Sequence, residues 1–308
     1  MALIRNNFTR MKNPAGTPVF NTHWGENPDA EQSIDTRSFG RVKDFADRKV
    51  ALHEEVARAL DVGFDNAYAE YAGASGVWNS VALMNKDGDA ANGLSFEYEG
   101  CAKPTAIAEM VPEIMKLVAT IFVLGKCKSV RLFVARAGGQ IVVHRDYLEF
   151  DRGFDRYHIP LVTSLGAFNG EGDHLFHLAE GGIFLVEGRV PHIGVNFNEA
   201  PRVHVVVDTA AGTPVEDVLV GPVADPDPLE FLHRPPLPAG FYETLAEAGA
   251  SVTAVSVQEA FYLLNKTALC YQCNLADVYD WLDIMCQHSP DPLAVDEANT
   301  LRRKMIGA

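Results

Sequence analysis

No stretch of the chain approaches 18 uninterrupted apolar residues, so no membrane-spanning helix is expected. The opening segment, MALIRNNFTRMKNPAG, lacks the apolar run of a secretory signal, and the reading is a cytoplasmic protein. Cysteine is scarce: five residues, an odd number, do not look like a disulfide framework. Positive charge is in deficit, with 26 Lys and Arg against 41 Asp and Glu for a formal net charge of −15. Such a surface repels phosphate backbones and anionic lipid, which excludes nucleic acid and membranes as expected partners. There is no internal repeat and no low-complexity tract. What is present, 308 residues with 47% hydrophobic composition, suffices for one large domain or a core domain with an appendage.

Along the chain, residues 1–45 are polar and carry turn pairs such as Asn13-Pro14 and Asn27-Pro28, so they read as irregular. Residues 47–60 place Val50, Leu52, Val56, Ala57 and Leu60 near helical spacing. Val77–Asn85 reads as a strand ending at the turn Lys86-Asp87-Gly88-Asp89, and Thr105–Leu124 as a second helix. From about 129 to 210 short β-branched and aromatic runs alternate with Gly, Asn and Asp, which predicts a sandwich or closed barrel. Seven prolines mark 212–238 as an irregular connection, and 240–305 returns to helical spacing. The expected fold is therefore a mainly β core with helical flanks (α+β): a double-stranded β-helix, or cupin-like jelly roll, plus a C-terminal helical bundle. The expected division is an N-terminal extension with a helix (1–75), the jelly-roll core (76–215) and the helical domain (216–308).

The chemistry centres on His144-Arg145-Asp146. On a strand, residues i and i+2 point to one face, so an imidazole and a carboxylate would aim at one interior point. A further histidine from another strand would complete a two-His-one-carboxylate triad, which leaves metal positions open and is associated with non-haem iron(II) oxygenases. Ten His and 41 acidic residues give about one His-x-Asp/Glu pair by chance. There are two, and the other, His53/Glu55, lies in a helical run where i and i+2 do not face each other. His144 follows GGQIVV, a convincing strand. The third ligand is to be found among His158, His174, His177, His192 and His204. His192 stands out because it follows the apolar strand GGIFLVEG, and Arg202 opens the next strand ten residues later. A planar guanidinium there suits the far carboxylate of 2-oxoglutarate. Alternation along RVHVVVD turns Arg202, His204 and Val206 inward and Val203, Val205 and Val207 outward. Cys270 and Cys273 read as buried thiols rather than a zinc pair, and His174 and His177 as a solvated hairpin rather than a second metal site.

Three stretches resemble the bacterial proline 3-hydroxylase family, related to the aspartyl/asparaginyl β-hydroxylases. They are His144 to Arg152 (HRDYLEFDR), Arg156 to Leu161 (RYHIPL) and Pro191 to Phe197 (PHIGVNF). Val77-Trp78-Asn79, Ala108 to Pro112, Tyr262 to Lys266 (YLLNK) and Tyr279-Asp280-Trp281-Leu282 extend the likeness over roughly 76–305. The resemblance implies iron(II) held by His144, Asp146 and His192. It also implies 2-oxoglutarate held by Arg202 with His158, O2 as the second co-substrate, and a small free L-amino acid gripped by Arg156 near Trp78 and Asn79. The implied reaction is hydroxylation of an aliphatic C–H, proline-like, in amino-acid or natural-product metabolism. Asp146 disfavours halogenation, because a halide would need that ligand position. Desaturation, ring closure such as cyclopropanation, and protein side-chain hydroxylation use the same cofactors and stay open, as does a non-catalytic cupin-like binding module. A homodimer is left open.

Overall fold

The computed structural model describes residues 23–61, 78–220, 223–224 and 228–307. In chain order these form β1 (His23–Glu26), α1 (Pro28–Ser33), β2 (Arg37–Val42), α2 (Phe45–Leu60), β3 (Trp78–Asn85), β4 (Lys103–Pro104) and α3 (Pro112–Ile121). The β-rich middle follows: β5 (Cys127–Ala135), β6 (Gly139–His144), β7 (Phe154–Val162), β8 (Ala167–Glu171), β9 (His174–His177), β10 (Gly182–Val186), β11 (His192–Asn196) and β12 (Arg202–Ala210). The chain continues through α4 (Val215–Val218), β13 (Val223–Ala224) and β14 (Glu230–His233). It ends in α5 (Phe241–Gly249), α6 (Val257–Cys270), α7 (Asp277–Gln287) and α8 (Leu293–Ile306).

The strands make two sheets, ordered β1-β14-β9-β8-β11-β6 and β13-β2-β10-β7-β12-β5-β3-β4. All their named pairings are antiparallel, which gives the expected jelly roll. The period of two along β12 explains its placement. Val203, Val205 and Val207 pack with Leu52 and Val56 of α2 and Ile114, Leu117 and Val118 of α3. Arg202 faces a cavity between the sheets, and alternation places His204, Val206 and Asp208 on the same side. On the outer side of the other sheet, Val142, Val143, Ile193 and Val195 pack against α5–α8 through Phe261, Leu264, Trp281 and Met285. Among the described residues no helix is long and apolar enough to cross a membrane.

Three local expectations change. Residues 23–42 are not irregular: β1 pairs with β14 and β2 with β10, so each sheet gains a strand through partners far away in sequence. The helix expected over 105–124 is a 3₁₀ turn at Ala108–Met110 followed by α3. Pro112 lacks an amide donor and disfavours the α conformation in the residue before it, and Val111 accordingly leaves the helical region at φ −129° and ψ 57°. His177 is not solvated but buried, with Nδ1 against the Ala167 carbonyl. Glu55, set aside as a metal ligand, is buried and accepts the Glu113 and Ile114 amides at the start of α3.

Candidate active site

His144 ends β6 and His192 begins β11, and the two stand directly opposite in the ladder with ring centroids 4.2 Å apart. The ladder slips between them and the next pair, Gly194 with Ile141, so β6 carries one extra residue. That bulge lets Ile141 and His144 both face the cavity despite their odd spacing. Each imidazole is oriented by its own strand: His144 Nδ1 lies 2.8 Å from the Val142 carbonyl and His192 Nδ1 lies 3.0 Å from that of Val190. A carbonyl can only accept, so both rings carry their proton on Nδ1 and present Nε2 as a lone-pair donor.

Asp146 stands two residues past the end of β6 rather than within it. Its amide donates to the Gly188 carbonyl at 2.7 Å, and Tyr147 turns the chain away in the left-handed region at φ 67°. Gly188 is required there, since a Cβ would meet Asp146 Oδ2 at 2.9 Å. Asp146 Oδ1 lies 3.3 Å from His144 Nε2, and Oδ2 lies 3.9 Å from His192 Nε2. One ligand atom from each of the three residues falls within 4.8 Å of the others, and among the described residues this is the one such group of His, Cys, Asp or Glu. Two imidazole nitrogens and a carboxylate oxygen form a donor set suited to iron(II). Burial pushes the Asp146 carboxyl up, but the charge of Arg156 first and the two flanking imidazoles after it outweigh burial and hold the group well below the usual carboxylate range.

The cavity has Trp78, Phe133, Ile141 and Val186 as apolar walls and the triad, Arg156, His158, Asn169, Gly194 and Arg202 as its polar lining. Arg202 is 4% exposed and lies over the Trp78 ring at 5.2 Å. Nε donates to His204 Nε2 at 3.0 Å and Nη2 to Asn169 Oδ1 at 2.6 Å, while Nη1 is buried without a hydrogen bond. Burial among neutral partners pulls its guanidinium down to about 9, which leaves it cationic at neutral pH. Gly194 opens the space in front of it: a Cβ would come within 3.2 Å of Nη1. His158 Nδ1 lies 3.1 Å from His204 Nδ1, and burial, then the charge of Arg202, holds both rings well below the ordinary histidine range.

Arg156 also reaches the cavity, but between two carboxylates. Nη1 donates to Asp146 Oδ2, Nε to Asp208 Oδ1 at 2.8 Å, and Nη2 to Asp208 Oδ2 at 3.4 Å. Its guanidinium lies between the Tyr147 and Phe133 rings, 5.0 and 5.4 Å from their centroids. Asp208 is fully buried and also takes hydrogen bonds from Arg131 and from Ser129 at 2.8 Å. Burial raises its carboxyl, but Arg156 and Arg131 hold it down at about 2. The structure thus brings together His144, Asp146, His192, Arg202, His158, Arg156 and Trp78. Asn79 is buried but does not line the cavity, because successive residues of β3 face opposite sides. Asp208, Asn169 and Tyr147 were missed. Asp208 was within reach, since the inward face of β12 extends by period two from Arg202 through His204 and Val206 to it. Asn169 and Tyr147 carry no local signal.

Comparison with known proteins adds the lineage. The chain is 27% identical over 277 residues to an L-proline cis-4-hydroxylase of Rhizobium meliloti (strain 1021), covering 89% of this chain and 96% of that one. It is 28% identical over 253 residues to L-proline cis-3-hydroxylase 2 of a Streptomyces species, covering 77% and 84%. Among solved structures, a prolyl-4-hydroxylase of Pseudomonas putida matches at a TM-score of 0.35 and 13% identity, over 60% of this chain and 97% of that one. The family model for the C-terminal region of L-proline 3-hydroxylase matches residues 221–308, the stretch that holds β14 and α5–α8. The model for aspartyl/asparaginyl β-hydroxylase matches residues 47–211, which hold every residue named in the cavity, and the chain belongs to that family.

Proposed function

We propose that this chain is an iron(II)- and 2-oxoglutarate-dependent oxygenase that hydroxylates an aliphatic C–H of a small free L-amino acid, proline or a near neighbour of it. The observation that carries this reading is one cavity holding both a His144–Asp146–His192 donor set and, against its wall, a buried arginine with an unmatched donor. His144, Asp146 and His192 would hold the iron. The chemistry supplied there is conversion of C–H to C–OH, coupled to that of 2-oxoglutarate and O2 to succinate and CO2.

The chain's own residues do the rest. Arg202 Nη1 offers a charge-assisted hydrogen bond to the far carboxylate of the co-substrate, with His158 beside it as a neutral partner. Trp78, Phe133, Ile141 and Val186 exclude water and shape the space left for the substrate. A concave site with four apolar walls and a few converging polar groups suits a small molecule. Two proline hydroxylases that align over most of this chain support a free amino acid as the substrate class.

Arg156 takes a different first role from the expected grip on the substrate. With Asp146 and Asp208 already on its fork, its clear function is to orient the carboxylate ligand. The test is anaerobic loading with iron(II) and 2-oxoglutarate, then O2 and a panel of free amino acids and their carboxamides, read as succinate release and hydroxylated product. Turnover of a free amino acid supports the reading. Metal binding with no amino acid driving succinate release would sink it in favour of a binding module. Product formed only from a peptide would sink the free amino acid.

A further inference from the structure

Among the described residues β6 is an edge strand: β11 lies on one side of it and no described strand on the other. An edge strand ordinarily leaves its outer amides and carbonyls to water. Here the outer groups beside His144 are taken by the C-terminal helices. The Val143 amide donates to Asn265 Oδ1 of α6 at 2.6 Å, and the Val143 carbonyl accepts the Tyr279 hydroxyl of α7 at 2.6 Å. On the far side of His144, the Arg145 amide donates to the Met305 carbonyl of α8 at 2.9 Å. The Arg145 guanidinium continues this line, with Nη1 on the Ile306 carbonyl at 3.2 Å and Nε on the Arg189 carbonyl at 2.6 Å. Arg189 precedes Val190, whose carbonyl orients His192.

These contacts are built rather than incidental. Asn265 is fully buried in α6, and its Nδ2 donates back to the Phe261 carbonyl at 2.9 Å, which fixes the amide with its oxygen toward Val143. Tyr279 is 1% exposed, and its ring lies against Phe261 at 5.1 Å. The two come from the sequence stretches YLLNK and YDWL, which the cavity itself does not use. Three helices thus take the place of a neighbouring strand at the point where β6 delivers a metal-facing histidine.

We infer that the C-terminal helical bundle is a clamp on the metal-bearing edge strand, with Asn265 and Tyr279 as positioning residues that set where His144 stands, and Arg145 passing the same constraint to His192. This rests on the reading of His144, Asp146 and His192 as metal ligands. Outer groups that orient metal ligands commonly affect metal affinity by about ten- to a hundredfold. A bundle that merely stabilised the fold would leave affinity unchanged.

The experiment uses the full metal-free chain with Co(II) as probe, read by titration and by its ligand-field absorption, alongside far-UV circular dichroism and melting. Tyr279→Phe removes one hydroxyl and Asn265→Ala removes the acceptor; each is expected to weaken Co(II) binding about tenfold and to alter the absorption bands while the dichroism is kept. Leu245→Ala, in the bundle core on α5 and away from β6, is expected to lower the melting temperature and leave Co(II) binding at the wild-type value. If Tyr279→Phe melts lower yet binds Co(II) with wild-type affinity and spectrum, the clamp is wrong. Tyr279→Phe decides the matter alone should Asn265→Ala not fold. His144→Ala separates the two ideas: undiminished Co(II) binding there overturns the ligand assignment itself.

Discussion

Two arginines reach the same cavity from neighbouring strands, and their surroundings are opposite. Arg202 sits among neutral groups, His204 and Asn169, with one buried donor unmatched. Arg156 sits between Asp146 and Asp208, so its charge is already balanced inside the protein. A buried cation without a counter-ion is costly unless an anion arrives, whereas a cation between two carboxylates is a structural tie. On the proposed function, the difference separates a site for an anionic ligand from one that organises a carboxylate ligand. Around the cavity Arg131 and Arg156 pair with the carboxylates of Asp146 and Asp208, so Arg202 stands as one positive charge in excess, in a chain whose formal net charge is −15. That local reversal of sign would draw a dianion such as 2-oxoglutarate to the Arg202 end.

The largest effect should come from Arg202→Ala. Truncating one partner of a buried charged pair costs about 2–5 kcal/mol, so the 2-oxoglutarate requirement should rise by well over tenfold while metal affinity is nearly unchanged. Calorimetric titration of each ligand separately checks this, and equal losses for both would erase the distinction between the arginines. Arg156→Gln should show the reverse pattern, with metal affinity falling about ten- to a hundredfold through a misplaced Asp146. A change confined to the KM of the amino acid, with free acid and carboxamide no longer discriminated, would instead make Arg156 the substrate clamp.

A smaller effect is expected from Gly194→Ala. Its methyl would crowd Arg202 Nη1 at 3.2 Å and Trp78 Cη2 at 3.1 Å, so the co-substrate requirement should rise a few-fold with iron affinity preserved. The smallest concerns pH. His158 and His204 are held below the ordinary value of 6.5 first by burial and then by Arg202. The unfolded chain therefore takes up protons below about pH 6.5 that the folded chain refuses, and stability falls as pH drops through that window. Urea midpoints of the metal-free protein should be level above pH 7 and decline toward pH 5. His158→Asn should flatten the decline, and an unchanged slope would mean that other groups set it.

Much of the cavity was legible because strand alternation is local. Arg202 and His204 share a face of β12 by period two, and Arg156 and His158 share a face of β7 in the same way. The pairing of His144 with Asp146 was legible for a related reason, although the carboxylate proved to stand on the turn beyond the strand. Helix α2 was readable from its apolar spacing, and α3 only in part, because Pro112 restarts the chain there.

The sequence by itself determined a β-rich core, its helical flanks and the residue types of a metal-binding triad, since periodicity and the spacing of His144, Asp146 and His192 are properties of short segments. Only the tertiary structure decided that β1 and β2 enter the two sheets, that a bulge in β6 turns both Ile141 and His144 inward, and that Asp208 engages Arg156. It alone decided, too, that Asn265 and Tyr279 hold the strand ahead of His144. Each of these is a contact between segments tens to more than a hundred residues apart. Their partners are chosen by burial and by the need to satisfy every buried polar group, conditions that no local window of sequence contains.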